Sequence, residues 1–485
     1  MSHAAVRLPA LLTTERPRPE AVRSRPGAWA LAVGTVCFGA FMGQLDASIV
    51  TLTYGSLRTE FHTSLAAVQW VSLAYLLTLV ALLIPVGRLS DAHGRKLLYL
   101  YGFVLFTAAS AACGFAPTLG LLVVFRAVQA VGAAMLQANS VALVTTSAPR
   151  ARMRTALGIQ AAGQALGLAL GPTIGGAMVA TIGWRWVFWI NVPIGIVAVV
   201  AGHYLLPRTR HRNAGSGFDW AGLALLTVAT TALLLGISAA SGLSLPAWSV
   251  VALFAVAVAA GWGFVRRQGR ARDPLLSLRL LRVRSVSSGL VGALCAYLAL
   301  FGPLVLVPQV LRAHGDGALA AGVMLTALPA GFAVAATLAD RVLPRGLSDR
   351  ARCTAGGVVV AAALVGLLLT PAVPGVLVPL LGVLGLGLGL FMPSNNALVM
   401  ASIPTEFAGT GGGLVNMARG LGTALGVALV TLGMHLGGNA GAWGVLVAAG
   451  VLALLSGLGG AGGVRRSGTG RPIRGTVRET DGPLG

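Results

Sequence analysis

The sequence predicts an all-α integral membrane protein with fourteen membrane-spanning helices, arranged as two six-helix bundles with two extra helices between them. Three observations predict this class: the composition, a series of apolar segments with basic residues between them, and an internal repeat. Of the 485 residues, 56% are hydrophobic and only 10% are charged, and the mean hydropathy is +0.83. A soluble globular domain carries about 25% charged residues, so the composition excludes a soluble fold.

Apolar segments of about 20 residues, the length that crosses a bilayer, follow one another along the chain. Six lie at about 29–54, 64–86, 97–115, 118–140, 155–180 and 186–206, two at 219–239 and 247–265, and six at about 285–309, 317–340, 353–371, 375–398, 409–435 and 440–462. The resulting units are an amino-terminal arm (1–28), a first six-helix bundle (29–206), linkers with the extra pair (207–284), a second six-helix bundle (285–462) and a tail (463–485). The tail is rich in glycine and arginine, and we expect it to be disordered.

The basic residues fix the predicted orientation of these segments. If both termini are cytoplasmic, thirty of the 35 basic residues fall on the inner side and three on the outer side, as expected for cytoplasmic loops. We therefore expect a multi-pass protein of the cell membrane with both termini in the cytoplasm. A net charge of +22 would by itself suggest binding to nucleic acid. Here the basic residues lie between apolar runs, where they mark cytoplasmic loops. The predicted partner is the lipid bilayer, and no nucleic acid is expected.

An internal repeat divides the chain into two related halves. The run LGLALG at 166–171 reappears as LGTALG at 421–426, and Asn139 has a near-equivalent in Asn395. Transporters often consist of related halves that move about a site near the middle of the membrane. The segments 219–239 and 247–265 are then an insertion between the two halves.

A stripe of glycines marks the fifth segment. It comprises Gly163, Gly167, Gly171, Pro172, Gly175 and Gly176. The first three glycines recur every four residues, so they lie on one face of a helix, where the missing side chains allow a second helix to approach closely. Pro172 removes a backbone donor and is expected to bend the helix. A tightly packed interface without further function would explain a single GxxxG equally well.

A short loop with a distinctive spacing joins the second and third segments. Its residues are Gly87, Arg88, Asp91, Gly94, Arg95 and Lys96. The glycines permit a tight reversal, and we expect Asp91 near the start of the third helix, where the helix dipole favours an acid. An ordinary hairpin with cytoplasmic positive charge is the alternative. A degraded copy is predicted at Asp340, Arg341, Arg345 and Arg350.

Charged residues within the apolar segments are the candidates for the functional site. Asp46 is the only acid well inside a segment, and Arg126 and Arg419 are cations at depth. Such groups are costly in a membrane and usually functional. Asp46 and Arg126 both fall in the outer half of the membrane and could approach each other, although a purely structural ion pair remains the alternative.

The second half contributes its own polar group to the predicted site. Arg419 aligns with Gln164 in the repeat, and Asn416 lies in the same NMARGLGTALG run. For Arg419, contact with the substrate and pairing between the two halves are both open. We group Asp46, Arg126, Arg419, Asn416 and Gln164 as the predicted proton-coupling and substrate site.

These motifs resemble those of the major facilitator superfamily. The loop GxLxDxxGRK is similar to the family's signature loop, which acts as a latch between the halves, and the glycine stripe resembles the antiporter motif of its exporters. The run RAVQAVG resembles the family's fourth-helix motif, which is associated with proton coupling. The runs LDASIV, WRWVFWINVPIG, FDWAGLALL and PLLSLRLLR resemble its fourteen-helix drug/proton antiporter branch, the multidrug exporters. The resemblance implies proton antiport with alternating access.

The sequence contains no phosphate-binding loop, no metal-ligand cluster and no catalytic nucleophile motif, so we predict a transporter rather than an enzyme, with no cofactor and no metal. Its energy would come from the proton gradient, and its partners would be protons and a small organic substrate such as a drug, antibiotic or metabolite. We expect a monomer.

A facilitator or importer of the same fold is the first alternative, and a membrane sensor is less favoured because no loop is long enough for an output domain.

Overall fold

The structure is a computed structural model that describes residues 15, 17–25, 27–149, 152–208, 219–242, 245–271, 274–275, 278–313, 315, 317–344, 347–370, 373–403 and 408–459. The predicted tail at 463–485 and most of the amino-terminal arm lie outside the described residues. The long helices are α1 (Ala28–Ile49), α2 (Trp70–His93), α3 (Arg95–Gly114), α4 (Leu119–Ser147), α5 (Met153–Thr181), α6 (Asn191–Leu205), α7 (Trp220–Ala240), α8 (Ala247–Gln268), α9 (Arg284–Ala313), α10 in two pieces (Ala318–Leu325 and Ala327–Val342), α11 (Asp349–Leu369), α12 (Pro374–Ala401) and α13 (Ala408–Gly459).

Within the described part of the chain, twelve helices are long and apolar enough to cross a membrane, so the predicted number of fourteen is not met. Two segments account for the difference. The apolar part of α5 that the described residues cover is a shorter stretch, Leu166–Thr181, although the helix itself runs over Met153–Thr181. The last two predicted segments are joined without an intervening loop in Gly413–Leu458, which counts once.

That long span folds back on itself near its middle. Gly437 and Gly438 have non-helical backbone angles, and Gly438 has a positive φ of 57°, which glycine adopts at little cost. A Cβ atom built on Gly433 would lie 2.8 Å from the carbonyl oxygen of Gly441. Eight residues of straight helix would separate these positions by about 12 Å, so the two parts of α13 pack side by side as a hairpin.

The two copies of the repeat pack against equivalent helices. A Cβ on Gly167 of α5 would lie 2.4 Å from the carbonyl oxygen of Phe41 on α1. A Cβ on Gly422 of α13 would lie 2.2 Å from the carbonyl oxygen of Leu294 on α9. In both halves the small residues therefore bring two helix backbones into contact, as close packing in lipid requires.

Helices α7 and α8 pack against each other at the periphery. Asp219 caps α7 by accepting from the Gly222 amide at 2.9 Å, and it binds Arg267 at 2.5 Å and Gln268 at 2.8 Å at the end of α8. Burial alone would raise the pKa of Asp219, but the hydrogen bonds from Arg267, Gly222 and Gln268 lower it below its ordinary value. The contact thus holds at neutral pH and weakens only as the pH falls through that lowered pKa.

The extra pair is also tied to the first half. Gln69, just before α2, donates a buried hydrogen bond of 2.9 Å to the Ser238 hydroxyl on α7. Large apolar side chains of α8, among them Trp248, Val251 and Val258, are more than 70% exposed. Such a surface is compatible with lipid and not with water.

The halves α1–α6 and α9–α13 meet toward the predicted outer side, which carries the loops 61–64, 115–118 and 182–185. The hydroxyl groups of Thr173 on α5 and Thr326 on α10 form a hydrogen bond. A Cβ on Gly176 would lie 2.6 Å from the carbonyl oxygen of Ala318. On the other side of this contact the halves enclose a cavity, which extends toward the predicted inner side.

Candidate functional site

Asp46 and Arg126 form an ion pair in the core of the first half. The Arg126 Nη1 atom lies 2.6 Å from Oδ2 of Asp46, and the two side chains are 1% and 0% exposed. Asp46 lies near the end of α1, and Arg126 lies near the beginning of α4. Because the two helices run in opposite directions, these positions are at similar depth. A buried charge pair repays its desolvation only when further hydrogen bonds satisfy the remaining atoms.

Polar side chains from α4 and α6 supply those hydrogen bonds. Gln129 donates to Oδ1 of Asp46 at 3.1 Å and accepts from Arg126 at 2.5 Å. It also donates to the Ser110 hydroxyl on α3 at 2.7 Å. Asn191, the first residue of α6, donates to the same Oδ1 at 3.2 Å. The carboxylate of Asp46 is therefore held by donors from α4 and α6 as well as by the cation.

Arg126 is fixed on its other side by the beginning of α2. Its Nε atom donates to the carbonyl oxygen of Val71 at 3.0 Å. Its guanidinium carbon lies 4.2 Å from the ring centroid of Tyr75, a cation–π geometry. Tyr75 also lines the cavity between the halves, so its ring separates the ion pair from that cavity.

The cavity between the halves encloses about 790 Å³, including its open mouth. Its apolar wall includes Leu76, Leu79, Leu83, Phe106, Leu136 and Phe301, and its polar wall includes Gln44, Gln137, Ser140, Gln164, Asn416, Arg419 and Thr423. A mostly apolar wall with a few polar groups is typical of sites for small organic molecules.

Gln164 and Arg419, which align in the repeat, both lie on this cavity wall. Arg419 is half-buried, because its side chain faces the cavity. It donates to Asn416 at 3.3 Å, and its guanidinium carbon lies 4.6 Å from the ring centroid of Tyr297. Of the two predicted roles for Arg419, its position fits contact with a molecule in the cavity.

A smaller void connects the cavity wall to Arg126. Both spaces are bounded by Ala47, Tyr75, Leu76, Phe301 and Thr423. On the same measure as the cavity, the void encloses about 260 Å³. Ser72, whose buried hydroxyl has no hydrogen-bond partner, also lines it. The void therefore places Arg126 next to the cavity wall, beside the ring of Tyr75.

The loop between α2 and α3 is a tight reversal, as predicted. Gly94 has a φ of 117°, a conformation that favours glycine. The prediction for Asp91 was wrong: it lies in the last turn of α2, which runs to His93, because the helix continues further than expected. The side chains of Arg88 and Asp91 lie outside the described residues, as do those of Asp340, Arg341 and Arg345 in the degraded copy, so the latch stays a prediction.

Lys96 has a different environment from the one predicted for a gating loop. It is 1% exposed, and its Nζ atom donates to the carbonyl oxygens of His203 and Leu206 at 2.9 and 2.8 Å. Cations at the carboxyl end of a helix are favoured by the helix dipole. Lys96 therefore joins α3 to the end of α6 within one half, while Gly87 and Arg95 lie on α2 and α3 on either side of the reversal.

The glycine stripe of α5 lies along α1. Gly163, Gly167, Gly171 and Gly175 face Cys37, Phe41, Ser48 and Ile49 in turn. Gly176 and Pro172 instead face the second half, where Gly176 approaches Ala318 and the Pro172 carbonyl approaches Gly322. The helix is continuous through Pro172. One helix thus contacts both its own half and the other half.

The sequence did not identify Gln129, Asn191 and Tyr75 as members of the site. Gln129 lies one turn after Arg126 in RAVQAVG, and Asn191 lies in the WINVP run. Both runs were quoted for their resemblance to the family, but neither residue was singled out. No local signal pointed to Tyr75, because only the packing of α2 against α4 brings its ring under Arg126. Among the described residues, no group of three or more His, Cys, Asp and Glu side chains could hold a metal ion.

Comparison with known proteins agrees with this architecture. A sequence profile of the Major Facilitator Superfamily matches residues 36–427. The chain is 33% identical over 417 residues to the tetracenomycin C resistance and export protein of Streptomyces glaucescens, covering 84% of this chain and 76% of that one. It is 29% identical over 395 residues to the multidrug resistance protein Stp of Mycobacterium tuberculosis, covering 81% of this chain and 73% of that one. The crystal structure of the human organic anion transporter MFSD10 covers 90% of this chain and 100% of that one, at a TM-score of 0.61 and 17% identity.

Two helical halves around an intramembrane cavity define a multi-pass membrane transporter of small molecules. The chain belongs to the Major Facilitator Superfamily, a family of transporters rather than of enzymes. Its relatives include proteins named for antibiotic export and multidrug resistance.

Proposed function

We propose that this protein is a secondary active transporter that exports small organic compounds in exchange for protons by alternating access. The observation that carries the proposal is the buried Asp46–Arg126 ion pair, one aromatic ring away from the cavity between the halves. The names of relatives that export tetracenomycin C or confer multidrug resistance support a drug, antibiotic or metabolite as the substrate.

The proton role of Asp46 follows from the chemistry of a buried ion pair. A proton that binds Asp46 competes with Arg126 and removes the charge that holds the guanidinium in place. Arg126 then retains only neutral partners, such as the Val71 carbonyl oxygen, so α1 and α4 lose part of their attraction. Each unit of difference in pKa between the outward and inward states corresponds to about 1.4 kcal/mol of coupling.

The contact between α5 and α10 gives this coupling a mechanical route. α5 packs on α1, which carries Asp46, and it also touches α10 of the second half at Gly176 and Thr173. A change in the packing of α1 is thus transmitted to the contact that closes the predicted outer side. Rocking of related halves about a central site is the usual form of alternating access.

The proposal extends to topology and energy source. We assign the chain to the fourteen-helix drug/proton antiporter branch, with fourteen membrane passes, both termini in the cytoplasm, the cell membrane as location, and a monomer as the working unit. The fold-back at Gly437 and Gly438 and the full length of α5 (Met153–Thr181) support the two passes beyond the twelve counted. The proton gradient takes the place of a cofactor.

A facilitator of the same fold is the second candidate, and one observation favours it. Asp46 receives hydrogen bonds from Arg126, Gln129 and Asn191, which is as expected for a permanent structural ion pair. In that case Asp46 would remain ionised throughout the cycle, and transport would follow the substrate gradient alone.

Transport by Asp46→Asn in vesicles separates the two candidates. Purified protein is reconstituted, and tetracenomycin C is offered under an imposed pH difference and, separately, in exchange without one. We expect Asp46→Asn to abolish concentrative transport while exchange continues, and Asp46→Glu to retain some coupling. Concentration of substrate by Asp46→Asn at the wild-type level would contradict the proposal and leave the facilitator.

A further inference from the structure

We propose that the cavity between the halves selects organic anions with a planar ring, bound with the negative group at Arg419 and the ring beside Tyr297 and Phe301. This inference rests on the proposed transport function and names the substrate class of the same site. The first support is the charge of the cavity: among the described residues that line it, Arg419 is the only charged side chain.

No acid is available to neutralise that charge. Of the 13 acidic residues in the sequence, Asp46 is the only one well inside an apolar segment. Asp46 is fully buried and already paired with Arg126 at 2.6 Å, behind the ring of Tyr75. The cavity therefore presents an excess of positive charge, and an organic cation would meet repulsion with no compensating carboxylate.

Arg419 is oriented by neighbours that leave most of its donors unused. Among the described contacts, it makes one hydrogen bond, at 3.3 Å to Asn416, and its guanidinium lies over Tyr297. A guanidinium has five N–H donors in a planar fork that matches a carboxylate. Asn416 and Tyr297 thus hold the group in place on the cavity wall, and the described contacts leave its other donors without a partner.

The aromatic side chains beside Arg419 favour a flat apolar body. Tyr297 and Phe301 lie one helical turn apart, with ring centroids 6.2 Å apart and planes at 14°. Both line the cavity, as does Phe106 across from them on α3. A ring that slides along this surface places its acidic substituent next to Arg419.

A matched set of ligands tests the charge preference without any gradient. Binding of 2-naphthoate, its methyl ester and 2-naphthylmethylamine to the purified full-length protein is measured by ligand fluorescence in detergent. We expect the carboxylate to bind roughly tenfold to a hundredfold more tightly than the ester or the amine, since charged hydrogen bonds supply that difference. Equal binding of the three, preference for the amine, or no binding of the carboxylate at millimolar concentration would overturn the proposal.

Two variants assign the preference to Arg419. Arg419→Gln should remove the preference for the carboxylate, and Arg419→Lys should retain part of it. The control is Arg58→Gln, which changes an exposed arginine outside the cavity and should leave the preference intact. Preference for the carboxylate that survives Arg419→Gln would overturn the assignment. These binding measurements need no pH difference, so they are independent of the transport mechanism. If the carboxylate binds but its uptake is not coupled to protons, only the proposed mechanism is contradicted. If the amine is taken up in a proton-coupled way, only the anion proposal is contradicted.

Discussion

At the scale of single residues, the pair of Asp46 and Arg126 organises the first half. Each partner is fully buried, so the cost of burying the two charges is offset by their attraction and by the surrounding hydrogen bonds. The sequence predicted that both residues lie at depth and could meet. It could not predict the pairing itself or the contributions of Gln129 and Asn191, because these depend on how four helices rotate against one another.

Arg126→Gln should destabilise the protein far more than removal of both charges. The single variant leaves a buried carboxylate without its cation, which costs about 3–5 kcal/mol. Asp46→Asn combined with Arg126→Gln leaves only neutral groups and should recover most of the lost thermal stability. Thermal unfolding in detergent measures the cycle, with Arg58→Gln as the control for loss of an exposed arginine. A double variant no more stable than Arg126→Gln would show that the pair does not act as a unit.

At the scale of elements, the glycine stripe of α5 was readable from the sequence because its spacing follows the helical period. Its target was not readable: the stripe itself does not say that α1 is the neighbour, or that Gly176 contacts the other half. The expected count of spanning helices also differed from the structure at α5 and α13. At α13 the reason is that Gly437 and Gly438 reverse the chain without a separate loop.

Gly167→Ala should separate α1 from α5. The added methyl group would lie 2.4 Å from the Phe41 carbonyl oxygen, and a backbone atom cannot move aside as a flexible side chain can. We expect a cost of about 1–3 kcal/mol, seen as a lower unfolding temperature and slower transport. Gly120→Ala on α4 is the matched control, since nothing lies within 4 Å of the added atom there. Equal effects of the two substitutions would show that the α1–α5 contact is not tight.

Deletion of 219–266 should leave an inserted protein that still binds its ligand but unfolds at a lower temperature. The halves repeat without this pair, which favours survival of the cavity, while the buried bond from Gln69 to Ser238 would be lost. Ser238→Ala isolates that bond, worth about 1 kcal/mol. Loss of ligand binding in a well-folded deletion variant would mean that α7 and α8 shape the site.

At the scale of the whole molecule, the two halves touch on the predicted outer side and enclose the cavity on the other. The internal repeat indicated two related halves, and their equivalent packing follows from the same small residues in each copy. The cavity wall could not be derived from the repeat alone, since it combines Gln164 and Arg419 from equivalent positions with side chains of α2, α3 and α4 that have no sequence signal.

Locking the contact between the halves should stop transport. In a background with Cys37, Cys113, Cys295 and Cys353 replaced, Thr173→Cys and Thr326→Cys place two thiols where hydroxyl groups are now hydrogen bonded. Oxidation should block transport, and a reductant should restore it. Ser285→Cys with Ser402→Cys, a hydrogen-bonded pair 2.8 Å apart within the second half, is the control. Full transport by the oxidised Thr173/Thr326 variant would exclude rocking about this contact.

The most direct test of the central claim is the movement of protons during transport. Vesicles that contain purified protein and a trapped pH-sensitive dye, at equal pH on both sides, receive a transported compound from outside. Antiport predicts that entry of the compound expels protons and makes the lumen alkaline, and that Asp46→Asn abolishes the change while the compound still equilibrates. An unchanged luminal pH during uptake by the wild-type protein would contradict proton antiport.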